Sequence, residues 1–142
     1  AGQLSGKTYK TIVLCSDGEC DEGTTWEAAL FAAHHNLKNL ILIIDYNKIQ
    51  SLDLVEKTLS LEPLIDKWVS FGWKVQNING HNIIDIVEAL EEENNMNKPK
   101  VIIANTIKGK GVSFMENSVL WHYRSPQGEE YDMALSELLG EN

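Results

Sequence analysis

Four short apolar runs divide the chain, and each has the length and composition of a β-strand. They are residues 11–15, 40–44, 73–78 and 100–104. The run 40–44 is apolar at every position, which is typical of a central parallel strand covered on both faces. The pattern therefore predicts a four-stranded sheet in which the second strand lies in the interior.

Helical patterns fill the segments between these runs. Thr24 and Glu27 have the spacing of a capping box and predict a helix that continues to about residue 37. That helix is apolar nearly all round, so we expect it to be buried on more than one side. Pro63 fits the first turn of a helix over 63–71. Asn82 fits the cap of a helix over 83–93, and the polar residues 91–95 indicate its solvated end.

Strands and helices alternate along the chain as β-α-β-α-β-α-β. This order predicts a single α/β domain over 1–142, with a three-layer α-β-α arrangement and a mostly parallel sheet. Right-handed crossovers would place helices on both faces. In such sheets ligands bind beyond the carboxyl ends of the strands. We therefore expect functional groups at residues 16–18, 45–47 and 79–81, and from residue 106 onward.

Composition narrows the class of protein. The chain has 142 residues, 43% hydrophobic and 23% charged, which is ordinary for a globular domain. Its net charge of −9 argues against a nucleic-acid partner, because no positive field offsets the phosphates. We expect no membrane partner, since no apolar run approaches the roughly 18 residues of a membrane span. No signal peptide opens the chain, so we expect a cytoplasmic protein. Position 1 is Ala rather than Met, which indicates a processed chain or a piece of a longer one.

The cysteines and two adjacent histidines do not have the spacing of a metal site. Cys15 ends a predicted strand and is expected to be buried, whereas Cys20 lies in an acidic loop and is expected to have no role. His34 and His35 would point about 100° apart on a helix, so we expect them to pack rather than share a metal.

Candidate metal-binding residues follow the first two strands. Asp17 and Gly18 follow the first, and Asn47 follows the second. A carboxylate and an amide oxygen brought together by adjacent strands suit Mg²⁺ or Ca²⁺, and the backbone N–H of Gly18 can approach a phosphate closely. The same residue types are common in simple turns, which remain an alternative. An EF-hand does not fit, because Glu22 falls where that loop needs glycine.

The segment Lys108-Gly-Lys-Gly111 is a second candidate for binding phosphate. It is basic and glycine-rich, but no Walker A or G-x-G-x-x-G motif accompanies it. A flexible loop with solvated lysines remains the alternative.

Taken together, these motifs resemble the transketolase family. Residues 16–27 followed by 40–50 resemble its thiamine-diphosphate motif, in which Gly-Asp-Gly is followed after about thirty residues by Asn. The similarity continues through 60–73, 79–81 and 106–122, and covers the chain from about Lys7 to its end. The chain is most similar to the amino-terminal subunit of transketolases encoded as two chains.

The resemblance implies a set of cofactor-binding residues. Asp17 and Asn47 match the side-chain ligands of Mg²⁺, and Ile49 matches the residue that supplies a backbone carbonyl. Gly18 and Asn47 match contacts to the diphosphate of thiamine diphosphate, and Lys108 matches a cofactor-binding lysine.

Further matches concern catalysis and the edge of the cofactor site. His122 matches a catalytic histidine near the diphosphate and the reacting carbon, implicated in substrate binding and proton transfer. Glu22 and Glu27 match acidic residues near the dimer interface and the cofactor.

For the whole assembly, the resemblance implies the thiamine-diphosphate-binding fold and transfer of a two-carbon ketol unit from a ketose to an aldose. It also implies a pyrimidine-binding, carboxy-terminal partner subunit or domain, in a homodimer or heterotetramer that acts on sugars. The isolated chain is expected to be inactive, because the pyrimidine-binding part is absent. Two alternatives are another thiamine-diphosphate enzyme, such as a synthase or a 2-oxoacid dehydrogenase component, and a non-catalytic interaction subunit with a decayed site.

Three places in the sequence depart from the family pattern. Ser16 stands where the motif usually has glycine, and residues 50–53 depart from the usual Ile-Asp-Gly. Arg124 belongs to an unusual segment after His122 and is a candidate contact to a distinctive substrate.

Overall fold

A computed structural model describes residues 1–93 and 96–140. The strands are β1 (Thr11–Ser16), β2 (Leu40–Tyr46), β3 (Lys74–Asn79) and β4 (Lys100–Asn105). The helices are α1 (Gly23–His34), α2 (Val55–Thr58), α3 (Leu64–Ser70), α4 (Ile83–Glu91) and α5 (Glu129–Leu139). Two single 3-10 turns span Gly18–Asp21 and Val119–His122. All four predicted strands are present, and each differs from its prediction by at most two residues at either end. Of the predicted solvated helix end, 91–93 are exposed, and 94–95 lie outside the described residues.

The four strands form one parallel sheet in the order β1-β2-β4-β3. The central position of β2 confirms the prediction made from its continuous apolar run. Ile41 and Ile44 point to opposite faces of β2, and their side chains are only 3% and 0% exposed.

Apolar side chains form a core on each face of the sheet. The first core joins β2 to α1 and α3 through Leu42, Ile44, Ala29, Ala32 and Trp68. The second joins β2 and β4 to α4 through Ile41, Ile102 and Ala89. Because alternate residues of a strand point to opposite faces, α1 and α3 cover one face and α4 covers the other. This confirms the predicted three-layer arrangement.

The predicted capping box at Thr24 and Glu27 is wrong. The N-cap of helix α1 lies two residues earlier, at Glu22, and makes no side-chain cap hydrogen bond. The same S/T-x-x-E spacing is used instead at the end of β1. There the Ser16 N–H donates to Glu19 Oε2 over 2.7 Å, and the Glu19 N–H donates to Ser16 Oγ over 3.3 Å. The chain must turn sharply after β1, and this reciprocal pair satisfies two backbone donors at that turn.

The exposure of α1 also differs from the prediction. Ala29 and Ala32 are buried, but Leu30 and Phe31 are 58% and 61% exposed. The helix is therefore buried on one side only, because the described residues supply a single layer of partners for it. By contrast, the predicted cap of α4 is confirmed, since Asn82 Oδ1 accepts from the Ile84 N–H over 3.0 Å.

The two cysteines differ in burial, and the two adjacent histidines pack against each other. Cys15 is half-buried rather than buried. Cys20 is only 2% exposed, and burial raises the pKa of its thiol to about 12. It is therefore a core residue. His34 and His35 are exposed and pack edge to face with ring centroids 4.8 Å apart. Within 1–93 and 96–140, no helix has the length and apolar character needed to cross a membrane.

Candidate functional site

The carboxyl ends of β1, β2 and β4 meet at one edge of the sheet. The register places Ser16 beside Asp45, and Asp45 beside Ala104. The segments that leave these strands therefore begin next to one another, which brings together residues that are 30 to about 90 positions apart in sequence.

Asp17 is the most buried charged group at this edge, with 2% of its surface exposed. Its Oδ2 accepts from the Lys48 N–H over 2.7 Å. Burial raises the pKa of Asp17, and the nearby charge of Asp45 raises it further, whereas the N–H groups of Lys48 and Gly18 and the charge of Lys108 lower it. No ion pair within 1–93 and 96–140 involves Asp17. A carboxylate this buried is stabilised when a cation compensates its charge.

Asn47 presents its side chain to the same place in a defined orientation. Its Oδ1 accepts from the Ile49 N–H over 3.0 Å, and its Nδ2 lies 3.4 Å from Asp45 Oδ2. The amide oxygen keeps a second lone pair that is free to bind a cation. Ile49 is 3% exposed, so its apolar side chain belongs to the core, as expected if only its backbone serves the site.

The donor set fits a hard cation that takes its remaining ligands from elsewhere. In the part of the chain that the structure describes, no three His, Cys, Asp or Glu residues are grouped to hold a metal by themselves. Asp17 and Asn47 supply two side-chain oxygens. Mg²⁺ commonly accepts such a pair and completes its shell with backbone carbonyl, phosphate and water oxygens.

The surroundings of Gly18 fit a phosphate group. A Cβ at this position would meet Gln50 and Ser16 side-chain atoms at 3.8 and 3.9 Å, which are ordinary contact distances. Packing within the protein therefore does not require glycine here. The absence of a side chain at Gly18 leaves the backbone of this turn accessible to a phosphate group.

The structure distinguishes the two lysines of the Lys108–Gly111 segment. Lys110 Nζ lies 3.2 Å from Glu116 Oε1, which also accepts from the Gly111 N–H. Lys108 is half-buried, and its charge acts on Asp17. Gly109 has φ +76°, and a Cβ there would lie 2.6 Å from the Met115 carbonyl oxygen, so the turn between the two lysines requires glycine.

Two contacts at this edge were not predicted individually. Thr106 Oγ1 donates to Asp45 Oδ1, and His81 Nε2 accepts from the Ile107 N–H over 2.7 Å. Together they attach the segment that leads to Lys108 to the ends of β2 and β3. The only signal in the sequence was position, because Asp45, His81 and Thr106 all lie at or just after a predicted strand end.

A cleft of about 490 Å³ opens beside Asn47 and Ile49. Its polar lining includes Glu56, Ser60, Glu62, Asn105, Thr106 and Asn117. The Tyr46 hydroxyl, at one wall, donates to Glu62 Oε1 over 2.7 Å. The volume suits a small organic ligand next to the candidate cation site.

The structure brings together Asp17, Gly18, Asn47, Ile49 and Lys108 but not the other predicted site residues. Glu22 and Glu27 are exposed on α1 or at its start, and His122 is exposed at the end of a 3-10 turn. The described contacts do not join these three side chains to Asp17 or Asn47. Their roles stay predictions.

The positions that depart from the family pattern have local partners. Ser16 is paired with Glu19, as described above. Gln50 is buried and donates from Nε2 to Asp21 Oδ2 over 2.9 Å, which ties the segment after β2 to the turn after β1. Arg124 Nη2 donates to both carboxylate oxygens of Glu130, at 2.6 and 2.7 Å, and the guanidinium lies 5.0 Å from the centre of the Trp121 ring.

The fold and this edge define a parallel α/β domain with a candidate cation and phosphate site at its strand ends. Comparison with known proteins identifies the family. Residues 4–141 match the family described as "Transketolase, thiamine diphosphate binding domain". The chain belongs to this family, which confirms the resemblance found in its motifs.

Individual relatives agree with this assignment. The chain is 45% identical over 141 residues to an apulose-4-phosphate transketolase subunit of Actinobacillus succinogenes, covering 99% of this chain and 51% of the relative. It is 46% identical over 132 residues to the 6-deoxy-6-sulfo-D-fructose transketolase subunit SqwG of a Clostridium species, covering 92% of this chain and 47% of the relative. The chain thus spans about half the length of these curated relatives.

Solved structures confirm the fold. The transketolase from Campylobacter jejuni superimposes with a TM-score of 0.75 at 36% identity, over 80% of this chain and 18% of that one.

Proposed function

We propose that this chain supplies the diphosphate- and Mg²⁺-binding part of a transketolase-like enzyme. The complete enzyme would transfer a two-carbon ketol unit from a ketose or its phosphate to an aldose or its phosphate. The observation that carries the proposal is the buried carboxylate of Asp17, which lies with the oriented Asn47 amide at the strand ends of a domain of this family.

The roles of the residues follow from their surroundings. Asp17 and Asn47 would hold the cation with side-chain oxygens, and Ile49 with its backbone carbonyl. The Gly18 N–H and the Lys108 ammonium would hold the diphosphate, whose negative charge an acidic protein would otherwise repel. When bound, thiamine diphosphate supplies the chemistry that breaks and forms the carbon–carbon bond.

His122 would act on the sugar. An imidazole has one nitrogen that can donate and one that can accept a hydrogen bond, so it can orient a substrate hydroxyl or move a proton. His122 is exposed on this chain, and the role requires the rest of the assembly to enclose it.

The proposal includes a partner. Both matched relatives are named as subunits of transketolases, which supports a second subunit for this chain too. We propose that this subunit is the pyrimidine-binding one, in a cytoplasmic homodimer or heterotetramer. The two relatives are named for different ketoses, so the proposal extends to ketoses as a class.

Calorimetry tests the proposal. The assembled enzyme should bind thiamine diphosphate in the presence of Mg²⁺ and convert a ketose donor, whereas the isolated 142 residues should show no turnover. Asp17→Ala should lower cofactor affinity at least about 100-fold while the subunits still assemble. Asp66→Ala, which removes an exposed carboxylate on α3, is the matched control and should bind normally. An assembly that binds no cofactor, or turnover by the isolated chain, would contradict the proposal.

A further inference from the structure

Asp45 accepts two hydrogen bonds from segments that are far apart in sequence. Its Oδ2 faces Asn47 Nδ2 at 3.4 Å, and its Oδ1 accepts from Thr106 Oγ1. Asp45 is half-buried at the end of the central strand β2, so both contacts start from a rigid element. The two carboxylate oxygens of Asp45 therefore face donors that arrive from different sides.

The first contact determines which way the Asn47 amide points. With Nδ2 toward Asp45, Oδ1 accepts from the Ile49 N–H. Turning the amide by 180° would set its oxygen against the Asp45 carboxylate and its NH₂ against an N–H donor. Both contacts would then be repulsive. Asp45 therefore keeps the amide oxygen, rather than the nitrogen, on the side opposite to itself.

The second contact holds the segment that leads to Lys108. Thr106 is the first residue after β4, and Lys108 lies two positions further on. The hydroxyl of Thr106 attaches the start of this segment to β2, the strand that also precedes Asn47. One carboxylate thus contacts both the arm that carries Asn47 and the arm that carries Lys108.

We propose that Asp45 is a positioning residue for cofactor binding, which aims the oxygen of Asn47 at the cation and holds Lys108 in reach of the diphosphate through Thr106. The inference rests on the proposed function, since it concerns the same site. Asp45 itself contacts neither the cation nor the cofactor in this scheme. Its effect is on affinity rather than on the chemical step.

Two substitutions separate the contacts. Asp45→Asn keeps the shape but can no longer accept at both positions, and it should weaken the binding of both Mg²⁺ and thiamine diphosphate about 10-fold or more. Thr106→Val removes only the hydroxyl and should weaken thiamine diphosphate binding less than Asp45→Asn does. Thr106→Ser keeps a hydroxyl at this position and should bind thiamine diphosphate with an affinity within about twofold of wild type.

The matched control is Asp85→Asn. Asp85 is a half-buried carboxylate that also accepts from an asparagine amide, Asn82 Nδ2 at 2.6 Å, but it lies on α4 outside the described site. Asp85→Asn should bind Mg²⁺ and thiamine diphosphate normally, although it loses a contact of the same chemical type. This comparison separates positioning from a general loss of packing.

The experiment is titration calorimetry of Mg²⁺ and thiamine diphosphate with the assembled enzyme, together with steady-state kinetics at increasing cofactor. Asp45→Asn should raise the apparent KM for thiamine diphosphate about 10-fold, and kcat should return to within about threefold of wild type at saturation. The double variant Asp45→Asn/Thr106→Val should bind no worse than Asp45→Asn alone, because both remove the same contact.

The outcomes distinguish this inference from the proposed function. A wild-type assembly that binds neither ligand overturns both. If the wild type binds and Asp45→Asn binds equally well, only the positioning role is overturned. Additive losses in the double variant overturn the path through Thr106. If Asp45→Asn does not fold, the Thr106 variants still decide this point, because Thr106→Ser binding as weakly as Thr106→Val overturns the path as well.

Discussion

The two lysines of the segment after β4 show how neighbouring residues of one type acquire different roles. Lys110 is neutralised by Glu116 at 3.2 Å, whereas the charge of Lys108 reaches the buried Asp17. Both lysines satisfy a basic, glycine-rich pattern equally well. Their surroundings decide that Lys108 is the better candidate for holding a diphosphate.

A pair of substitutions tests this distinction. Lys108→Met should weaken thiamine diphosphate binding to the assembled enzyme about 10-fold, because it removes the positive charge next to the site. Lys110→Met is the matched control, and we expect its affinity to stay within about twofold of wild type. Both values come from calorimetry at a fixed, saturating Mg²⁺ concentration. Equal losses for the two variants would contradict the assignment.

Among the secondary-structure elements, α4 is capped by side chains at both ends. At its start, Asn82 accepts from the Ile84 N–H. At its end, Lys10 Nζ donates to the Leu90 carbonyl over 2.9 Å, and Lys100 Nζ donates to the carbonyls of Ala89 and Glu92. Helix ends leave backbone groups without intrahelical partners, and these side chains supply the missing contacts.

The Asn82 cap should make a measurable contribution to the free energy of unfolding. Asn82→Ala should lower the free energy of unfolding by about 1 kcal/mol, since the Ile84 N–H loses its acceptor. Asn82→Ser retains a capping oxygen. The free energy of unfolding should therefore fall by only a few tenths of the loss expected for Asn82→Ala. Urea denaturation followed by circular dichroism measures both variants. A loss for Ser as large as that for Ala would show that Asn82 acts through something other than the cap.

The buried lysine at the C-terminal end of α4 should make the stability of the protein depend on pH. Lys100 is 1% exposed, and burial, with a smaller effect of the Lys74 charge, lowers its pKa from the ordinary 10.5. Between the lowered pKa and 10.5, the unfolded chain binds more protons than the folded chain, so the stability contributed by this residue rises with pH across that window. Below the lowered pKa both states are protonated, and the contribution is constant.

The test compares the free energy of unfolding of the wild type with that of a variant that lacks the Lys100 charge. The free energy of unfolding of the wild type minus that of Lys100→Met should increase between neutral pH and pH 10.5. Other groups that titrate in this range cancel in the difference. Lys7→Met, at an exposed position, should show no such slope. A difference that falls with pH would mean that Lys100 gains more from its carbonyl partners when charged than it loses by burial.

At the scale of the whole molecule, the chain exposes large apolar side chains on the sheet and on the helix that covers it. Leu14 is 69% exposed on the edge strand β1, and Leu30 and Phe31 are exposed on α1. Exposed apolar groups of this number favour association with other surfaces. We therefore expect the isolated 142-residue chain to bind a hydrophobic dye and to self-associate.

Substitution of these groups tests the expectation. The double variant Leu30→Glu/Phe31→Glu should bind less dye and elute closer to the monomer position in size-exclusion chromatography with light scattering. Lys7→Glu, which makes the same change in net charge at an exposed polar position, controls for charge alone. A wild-type chain that is monomeric and binds no dye would contradict the expectation.

Much of this protein follows from its sequence. The apolar runs predict all four strands, and their alternation with helices predicts the parallel sheet. The residues after the strands make Asp17, Asn47 and Lys108 candidates, and their roles in cofactor binding stay predictions. These features depend on periodicity and chain order, which a single sequence displays directly. The family resemblance rests on the same strand-end motifs.

Only the tertiary structure decided how equivalent patterns are used. It assigned the capping role to Ser16 and Glu19 rather than to Thr24 and Glu27, left one side of α1 exposed, and buried Cys20. It also joined Asp45 to Thr106, 61 positions away. Each of these features depends on which segments, distant in sequence, come into contact in the fold. A local sequence pattern contains no information about such contacts. The sequence determined the elements and the candidate groups, whereas the packing of one element against another determined which groups face the site and in what orientation.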